Sequence, residues 1–137
     1  MLNRINGFIQ KLKFKTIFHV DIETFRNYCL FKKGVAESFP FDSDTLVFKV
    51  MDKMFALADV DNFISINLKC DPEHALELRE KYMDVVPGWH MNKKHWNTVS
   101  VRGSLPDQLI FEWTDHSYEL VVKGLSNKQQ RALSEAG

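Results

Sequence analysis

The sequence contains little cysteine and no excess of charge of one sign. Its two cysteines, Cys29 and Cys70, lie far apart and show no C-x-x-C pairing, which excludes a disulfide-rich scaffold and a zinc ribbon. Basic and acidic residues number 18 each, so the chain lacks the net positive charge that is typical of strong nonspecific nucleic-acid binding. We therefore expect two reduced, buried thiols in a cytoplasmic protein.

The sequence also lacks the short motifs of catalysis. It contains no glycine-rich phosphate loop and no nucleophile and base at a spacing that a reaction needs. A pairing of His95 with Cys70 or Ser100 would require a third, orienting group that the sequence does not locate. We expect a protein that is not an enzyme and that needs no cofactor.

The first twenty residues differ from the rest of the chain in charge. Lysines interrupt every apolar run in this segment, so it fits neither a transmembrane span nor a signal-peptide core. Its basic residues, with no acid among them, are Arg4, Lys11, Lys13 and Lys15. Subtracting these four from the 18 basic residues leaves 14 against 18 acidic residues, so residues 21–137 carry about −4.

Apolar residues of the first segment recur near helical spacing, which indicates a basic amphipathic helix. The functional interpretations are attachment to a membrane surface or to a partner's groove, and the alternative is a loosely docked extension from an upstream start. We divide the chain into a basic N-terminal extension (1–20), one domain (21–125) and a polar C-terminal tail (126–137). A composition of 45% hydrophobic and 26% charged residues is ordinary for one packed domain.

Patterning predicts helices and strands in an α+β arrangement. Asp21 caps a helix over residues 22–33, and Asp71 followed by proline begins a second helix. Residues 46–50 and 64–70 alternate apolar and polar side chains, which predicts half-buried strands, and residues 54–58 return from a hairpin turn. Two further strands are predicted at residues 85–89 and 96–102. A third helix follows, which Ser104 and Asp107 open, and the chain ends in one or two polar helical turns.

The predicted order is α-β-β-β-α-β-β-α, an antiparallel sheet in two layers with the helices on one face. We expect this arrangement because only one side of each strand with a clear alternating pattern is apolar. The other face of the sheet is then open to solvent. We expect that face to carry Lys49, Asn67, Lys69, Ser100 and Arg102.

The densest group of aromatic and polar side chains lies in residues 87–99, PGWHMNKKHWNTV. Two tryptophans, two histidines, two lysines and two asparagines in thirteen residues exceed what packing requires, which indicates a binding surface. Lysine and arginine side chains can contact nucleic-acid phosphates, tryptophans can stack on bases, and asparagine or histidine can form hydrogen bonds with base edges. The candidate nucleic-acid contacts are Lys49, Lys69, Trp89, His90, Asn92, Lys93, Lys94, His95, Trp96, Asn97 and Arg102.

Structural alternatives apply to the same residues. Both tryptophans can instead anchor the loop to the core, and the lysines can simply be solvated. His90 and His95 are five residues apart, a spacing that does not fit one helix face, and the loop has no cysteine or carboxylate, so we predict no metal site. His116, on the apolar side of the third helix, is predicted to be a core histidine with its hydrogen bonds satisfied.

Several segments resemble, in order, the MmcQ/YjbR family of small bacterial proteins over about residues 21–125. They are DIETFRNYC, ESFPFDSDTLVFKVMDKMFAL, INLKCDPEHALELREKY, PGWHMNKKHWNTV and LPDQLIFEWTDHSYELVVKGL. The resemblance implies a compact antiparallel α/β domain and a DNA-binding function of the double-wing type. Asp52 occupies a turn position that is commonly glycine in this family, which affects only the hairpin geometry.

Two functional hypotheses follow. The first is DNA binding without catalysis, with an unknown target. The alternative is a protein-interaction module that binds a peptide or a second copy of itself on the open sheet face. The net negative charge of residues 21–137 favours a basic partner. We expect a monomer, with a dimer as the alternative.

Overall fold

The computed structural model describes residues 19–136, so the predicted amphipathic helix of the N-terminal extension lies outside the described residues. The helices and strands of this part are, in chain order, α1 (Ile22–Leu30), β1 (Val35–Ser38), β2 (Thr45–Val50), β3 (Lys53–Asp59), β4 (Ser65–Lys69), α2 (Pro72–Lys81), β5 (Val85–Pro87), β6 (Trp96–Ser100), α3 (Asp107–Lys123) and α4 (Asn127–Glu135).

The strands form one antiparallel sheet in the order β1-β2-β3-β4-β6-β5. One core cluster contains alternate residues of the strands together with buried residues of all four helices, such as Phe25 of α1, Ala75 of α2, Ile110 of α3 and Leu133 of α4. The helices therefore cover one face of the sheet. The predicted α+β fold with two layers is confirmed.

The sheet contains one strand more than the sequence predicted. Strand β1 is only four residues long, is half exposed and pairs with β2 at the edge of the sheet. Its sequence VAES carries no strong alternation, which is why the pattern did not reveal it. The predicted polar tail contains α4, whose Ser126–Gln129 capping box begins it and whose Leu133 is buried in the core.

The helix caps were predicted with mixed success. Asp21 accepts a hydrogen bond from Thr24 N at 2.7 Å, and Asp71 caps α2 with Pro72 in its first turn, both as predicted. The prediction for Ser104 was wrong. Its backbone N and its hydroxyl bind Asp84 Oδ2 at 2.9 and 3.0 Å, and α3 begins after Pro106 without a side-chain cap.

The β2–β3 hairpin turns through two residues in the left-handed region. Met51 has φ 50° and Asp52 has φ 66°. Positive φ at both central residues is the requirement of a type I′ turn, which matches the twist of antiparallel strands. This explains why glycine suits position 52, and aspartate is one of the side chains that tolerates the same conformation.

A β-bulge interrupts β3 and is bridged by a helix side chain. Phe48 pairs with Ala56 whereas Lys49 pairs with Met54, so Phe55 is the additional residue. The hydroxyl of Ser117 on α3 accepts from Lys69 N at 2.8 Å and donates to Phe55 O at 2.5 Å. This hydroxyl bridges the backbones of β3 and β4 just beyond their last direct pair, Ala56–Leu68, and ties α3 to the sheet at the bulge.

Candidate binding groove on the uncovered sheet face

Strand register identifies the residues of the face opposite the helices, because directly paired residues share a face. One row of pairs crosses all six strands of the sheet. From edge to edge it contains Ser38, Val47, Leu57, Asn67, Thr98 and Val86. Lys49, Lys69 and Ser100 lie on this face too, by the same register.

Part of the uncovered face is apolar and shielded from solvent. Val47, Leu57 and Trp96 form a second buried cluster, with exposed fractions of 0%, 4% and 7%, and Met54 and Met91 pack against it. The expectation that this face is wet throughout was therefore wrong. The reason is that Trp96 of β6 lies on this face, and the segment joining β5 to β6 adds Met91 to the same cluster.

The joining segment, residues 88–95, is here named the tryptophan loop. Gly88 N donates to Trp96 O at 2.8 Å, and a Cβ at Gly88 would lie 2.8 Å from the Trp96 Cβ, so only glycine allows this approach. Lys93 Nζ donates to Gly88 O at 3.0 Å across the loop. His90 takes φ 59°, and its ring meets that of Trp89 edge to face. The loop is thus a defined structure.

The two tryptophans have different environments. Trp96 is buried and anchors the loop, whereas Trp89 is 69% exposed. Trp89 N donates to Thr98 Oγ1 at 2.8 Å, and Thr98 Oγ1 donates to Asn67 Oδ1 at 2.5 Å. The backbone of Trp89 is therefore held on the sheet while its indole remains available to a ligand.

A residue that the sequence did not single out fixes the loop from the helix side. Arg79 of α2 donates from Nε to Asn97 Oδ1 at 2.6 Å, and from its terminal nitrogen to Lys93 O and to Trp96 O, the latter at 3.2 Å. Its planar fork satisfies three acceptors at once. An arginine in a helix is normally a solvated surface charge, so nothing in the sequence pattern indicates this role.

The loop, the adjacent turn before β2 and the sheet enclose a groove. It consists of two adjoining concavities of about 400 and 610 Å³ that share Thr45, Leu57, Asn67 and Trp89. The first is completed by Ala58, Asp59, Ile64, Ser65, Val86 and Thr98. The second is completed by Phe41, Asp42, Met54, His90, Met91, Asn92 and Trp96. Each volume is in the range of ligand-binding clefts.

The groove has one acidic end, where Thr45 pairs with Asp59. Asp42 accepts from Asp44 N at 2.9 Å and from Thr45 N at 2.7 Å, and these hydrogen bonds lower the pKa of its carboxyl. Asp59 accepts from Asp61 N and Asn62 N. Asp44, by hydrogen bonding and by like charge, raises the pKa of Asp61. Four aspartates thus concentrate negative charge at this end.

The opposite end of the face carries lysines. Lys49 pairs with Met54 and Lys69 pairs with Trp96, so both lie at the end where the apolar cluster packs. They are two strands apart, which is roughly 10 Å. Lys94 of the tryptophan loop is exposed.

Two predicted contacts do not belong to this surface. Arg102 lies beyond the Ser65–Ser100 pair, more than about 13 Å along the strands from the lysines, and its Nε donates to Phe63 O at 2.9 Å. Asn97 is 2% exposed and faces the helices, where Arg79 holds it. Neither side chain can join the lysines in one contact surface.

The remaining predicted residues have different degrees of access. Asn92 is exposed and its side chain accepts from Lys94 N at 2.9 Å, which shapes the loop. His95 is half-buried, and its carbonyl accepts from Cys70 N at 2.7 Å. The exposed residues of the tryptophan loop among the predicted contacts are Trp89, His90, Asn92, Lys93 and Lys94.

A small cavity of about 10 Å³ lies beneath α2 and α3, and Cys70, Asn97 and His116 help to line it. Asn97 Nδ2 and His116 Nε2 are buried there without a hydrogen-bond partner among residues 19–136, so the prediction of a satisfied His116 was wrong. Burial lowers the pKa of His116 and raises that of the Cys70 thiol to about 11. A neutral thiol beside a neutral imidazole is the opposite of an activated nucleophile.

Both cysteines are buried and unpaired, as expected. Within residues 19–136, no three His, Cys, Asp or Glu side chains come together in a way that could hold a metal ion. In the same range, no helix has the length and apolar content needed to cross a bilayer.

The fold and the groove define a small antiparallel α+β domain with one uncovered, partly apolar sheet face. The sequence matches the family model described as YjbR over residues 30–120, and the chain belongs to the YjbR family. It is 39% identical over 107 residues to the uncharacterised protein YjbR of Escherichia coli K12, covering 77% of this chain and 91% of that protein. It is 34% identical over 112 residues to the uncharacterised protein YbdF of Escherichia coli O157:H7, covering 81% and 92%.

A solved structure shows the same architecture. The crystal structure of Deinococcus radiodurans protein DR2400, a DUF419 domain, superposes with a TM-score of 0.78 at 38% identity, covering 88% of this chain and 91% of that one. A Pseudomonas syringae protein superposes with a TM-score of 0.63 at 29% identity, covering 74% and 98%. Both structures share the fold of this chain.

Proposed function

We propose that the chain is a non-enzymatic binding protein that holds an extended segment of a partner protein in the groove. One observation carries this proposal. Eight large hydrophobic residues are exposed within residues 19–136, and four of them line the groove. These four are Phe41, Ile64, Val86 and Trp89. A contiguous, exposed apolar surface with a polar rim is the usual mark of an interaction site.

The polar groups of the groove suit a peptide. Asn67 lies in the middle of the sheet row, and its Oδ1 is already occupied by Thr98, which leaves its amide nitrogen for a ligand carbonyl. Leu57 beside it offers an apolar floor. A few placed polar groups on a mainly apolar surface are typical of a specific binding site.

Trp89 is the expected centre of the binding energy. Tryptophan is enriched among residues that dominate interfaces, and this one has its backbone held in advance by Thr98. Its ring lines both parts of the groove. A partner segment lying along the groove must contact it.

Replacement of Trp89 by alanine is expected to weaken peptide binding by about tenfold or more. The measurement selects dodecapeptides from a random phage-displayed library on the wild-type protein and compares their dissociation constants by calorimetry. Phe31→Ala is the matched control, because Phe31 is 93% exposed and lies outside the groove. Failure to select any peptide, or equal loss from the two variants, would refute the proposal.

DNA binding is a second candidate, and one arrangement favours it. Lys49 and Lys69 share the uncovered face and the same end of it, and the exposed Trp89 lines the groove on that face, so phosphate contacts and base stacking can combine on one surface. The four aspartates at the other end of the groove disfavour DNA binding, because their negative charge repels phosphates.

The DNA hypothesis predicts that Lys69→Ala/Lys94→Ala binds labelled duplex or single-stranded DNA more weakly than wild type at low salt. Fluorescence anisotropy gives the affinities, and raising the salt should weaken the wild-type complex steeply. Lys123→Ala/Lys128→Ala removes the same charge from the helical side and serves as control. Absence of binding, or equal binding by both double variants, would exclude this surface as a DNA site.

A further inference from the structure

We infer that the partner segment is cationic, with a lysine or arginine about four residues from a bulky apolar side chain. This inference rests on the proposed function, since it specifies what the groove holds. It follows from the distribution of charge and apolar surface along the groove. The cation belongs at the acidic end and the apolar side chain at the end where Trp96 packs.

The lining of the groove is charged with one sign only. Its residues include the carboxylates of Asp42 and Asp59 and no lysine or arginine. The ion pairs among residues 19–136 involve other carboxylates, Glu37, Asp115 and Glu77. Asp42 and Asp59 therefore form no ion pair within the described part of the chain, and their end of the groove attracts a cation.

The carboxylates are held in place by backbone hydrogen bonds. Asp42 and Asp59 each accept two backbone N–H groups in their own turns. Preorganised charges of this kind cost a ligand little ordering entropy. A cationic side chain entering the groove meets them without a rearrangement of the turns.

The spacing follows from strand geometry. Thr45–Asp59 marks the acidic end and Lys49–Met54 the apolar end, four residues apart on β2. At roughly 3.3 Å per residue this is about 13 Å, the span of four residues of an extended peptide. Trp89 lies along the path, and its exposed ring can also accept a cation on its face.

Two synthetic peptides test the charge preference, acetylated KKSGSFL and its charge-reversed counterpart EESGSFL. Titration calorimetry should give at least about tenfold tighter binding of the cationic peptide. Asp42→Asn/Asp59→Asn should abolish most of that preference, because asparagine keeps the turn acceptor and removes the charge. Asp52→Asn/Glu135→Gln removes two charges outside the groove and should keep the preference.

The outcomes separate the two proposals. Equal affinity for both peptides, an unchanged preference in Asp42→Asn/Asp59→Asn, or failure of both peptides while library peptides bind would overturn the charge preference and leave the groove as a peptide site. Failure of every peptide, from the library included, would remove the proposed function together with this inference.

Discussion

Replacement of Ser117 by alanine is expected to lower the free energy of unfolding by about 2 to 4 kcal/mol. The hydroxyl is 0% exposed and is the common partner of Lys69 N and Phe55 O. Its removal leaves a backbone donor and a backbone acceptor unpaired at the bulge, and each orphaned buried group costs about 1 to 3 kcal/mol. Urea unfolding followed by circular dichroism measures the change.

Thr114→Val is the matched control for this prediction. Thr114 is also 0% exposed on α3, but its hydroxyl only donates to Ile110 O, four residues earlier in the same helix. Valine preserves the shape and leaves no backbone group without a partner, so the loss should stay below about 1 kcal/mol. Equal losses in the two variants would show that the Ser117 bridge is not what holds the bulge.

Replacement of Arg79 by alanine is expected to destabilise the protein by about 2 to 3 kcal/mol and to loosen the tryptophan loop. The guanidinium is the shared donor for Asn97 Oδ1, Lys93 O and Trp96 O. Without it, the side chain of Asn97 loses its described partner. Hydrogen exchange should quicken at the loop amides, and peptide affinity should fall although Arg79 does not line the groove.

Glu80→Ala, at the exposed neighbouring position of α2, is the control and should change neither quantity. Arg79→Lys should recover only part of the stability, because an ammonium cannot reproduce the planar fork. Unaltered exchange at the loop in Arg79→Ala would contradict the anchoring role.

The sequence predicted those parts of the fold that depend on local chemistry. Asp21 and the Asp71-Pro72 pair mark helix starts because a short acceptor side chain satisfies first-turn N–H groups. The alternation at residues 46–50 and 64–70 predicted the two strands that the structure has at Thr45–Val50 and Ser65–Lys69, because successive side chains of a strand point to opposite faces. These features can be predicted from the local sequence, without knowing which strands and helices pack against each other.

The candidate site was harder to predict because pairing across the sheet decides it. Trp89 and Trp96 are alike in sequence context, yet only Trp96 begins a strand and packs on Leu57. Asp42 and Asp59 carry ordinary turn signals, and only the β2–β3 register brings their turns to one end of the groove. Arg102 was assigned to the lysine surface because nothing in the sequence gives its position along the strand.

A titration of isotope-labelled protein with the KKSGSFL peptide, followed by nuclear magnetic resonance, tests most directly whether the uncovered face is the binding surface. We expect shift changes concentrated at the amides of Leu57, Asn67 and Thr98, with the largest at the Trp89 indole. Changes centred on the helices α1 to α4, with the Trp89 indole unmoved, would contradict it.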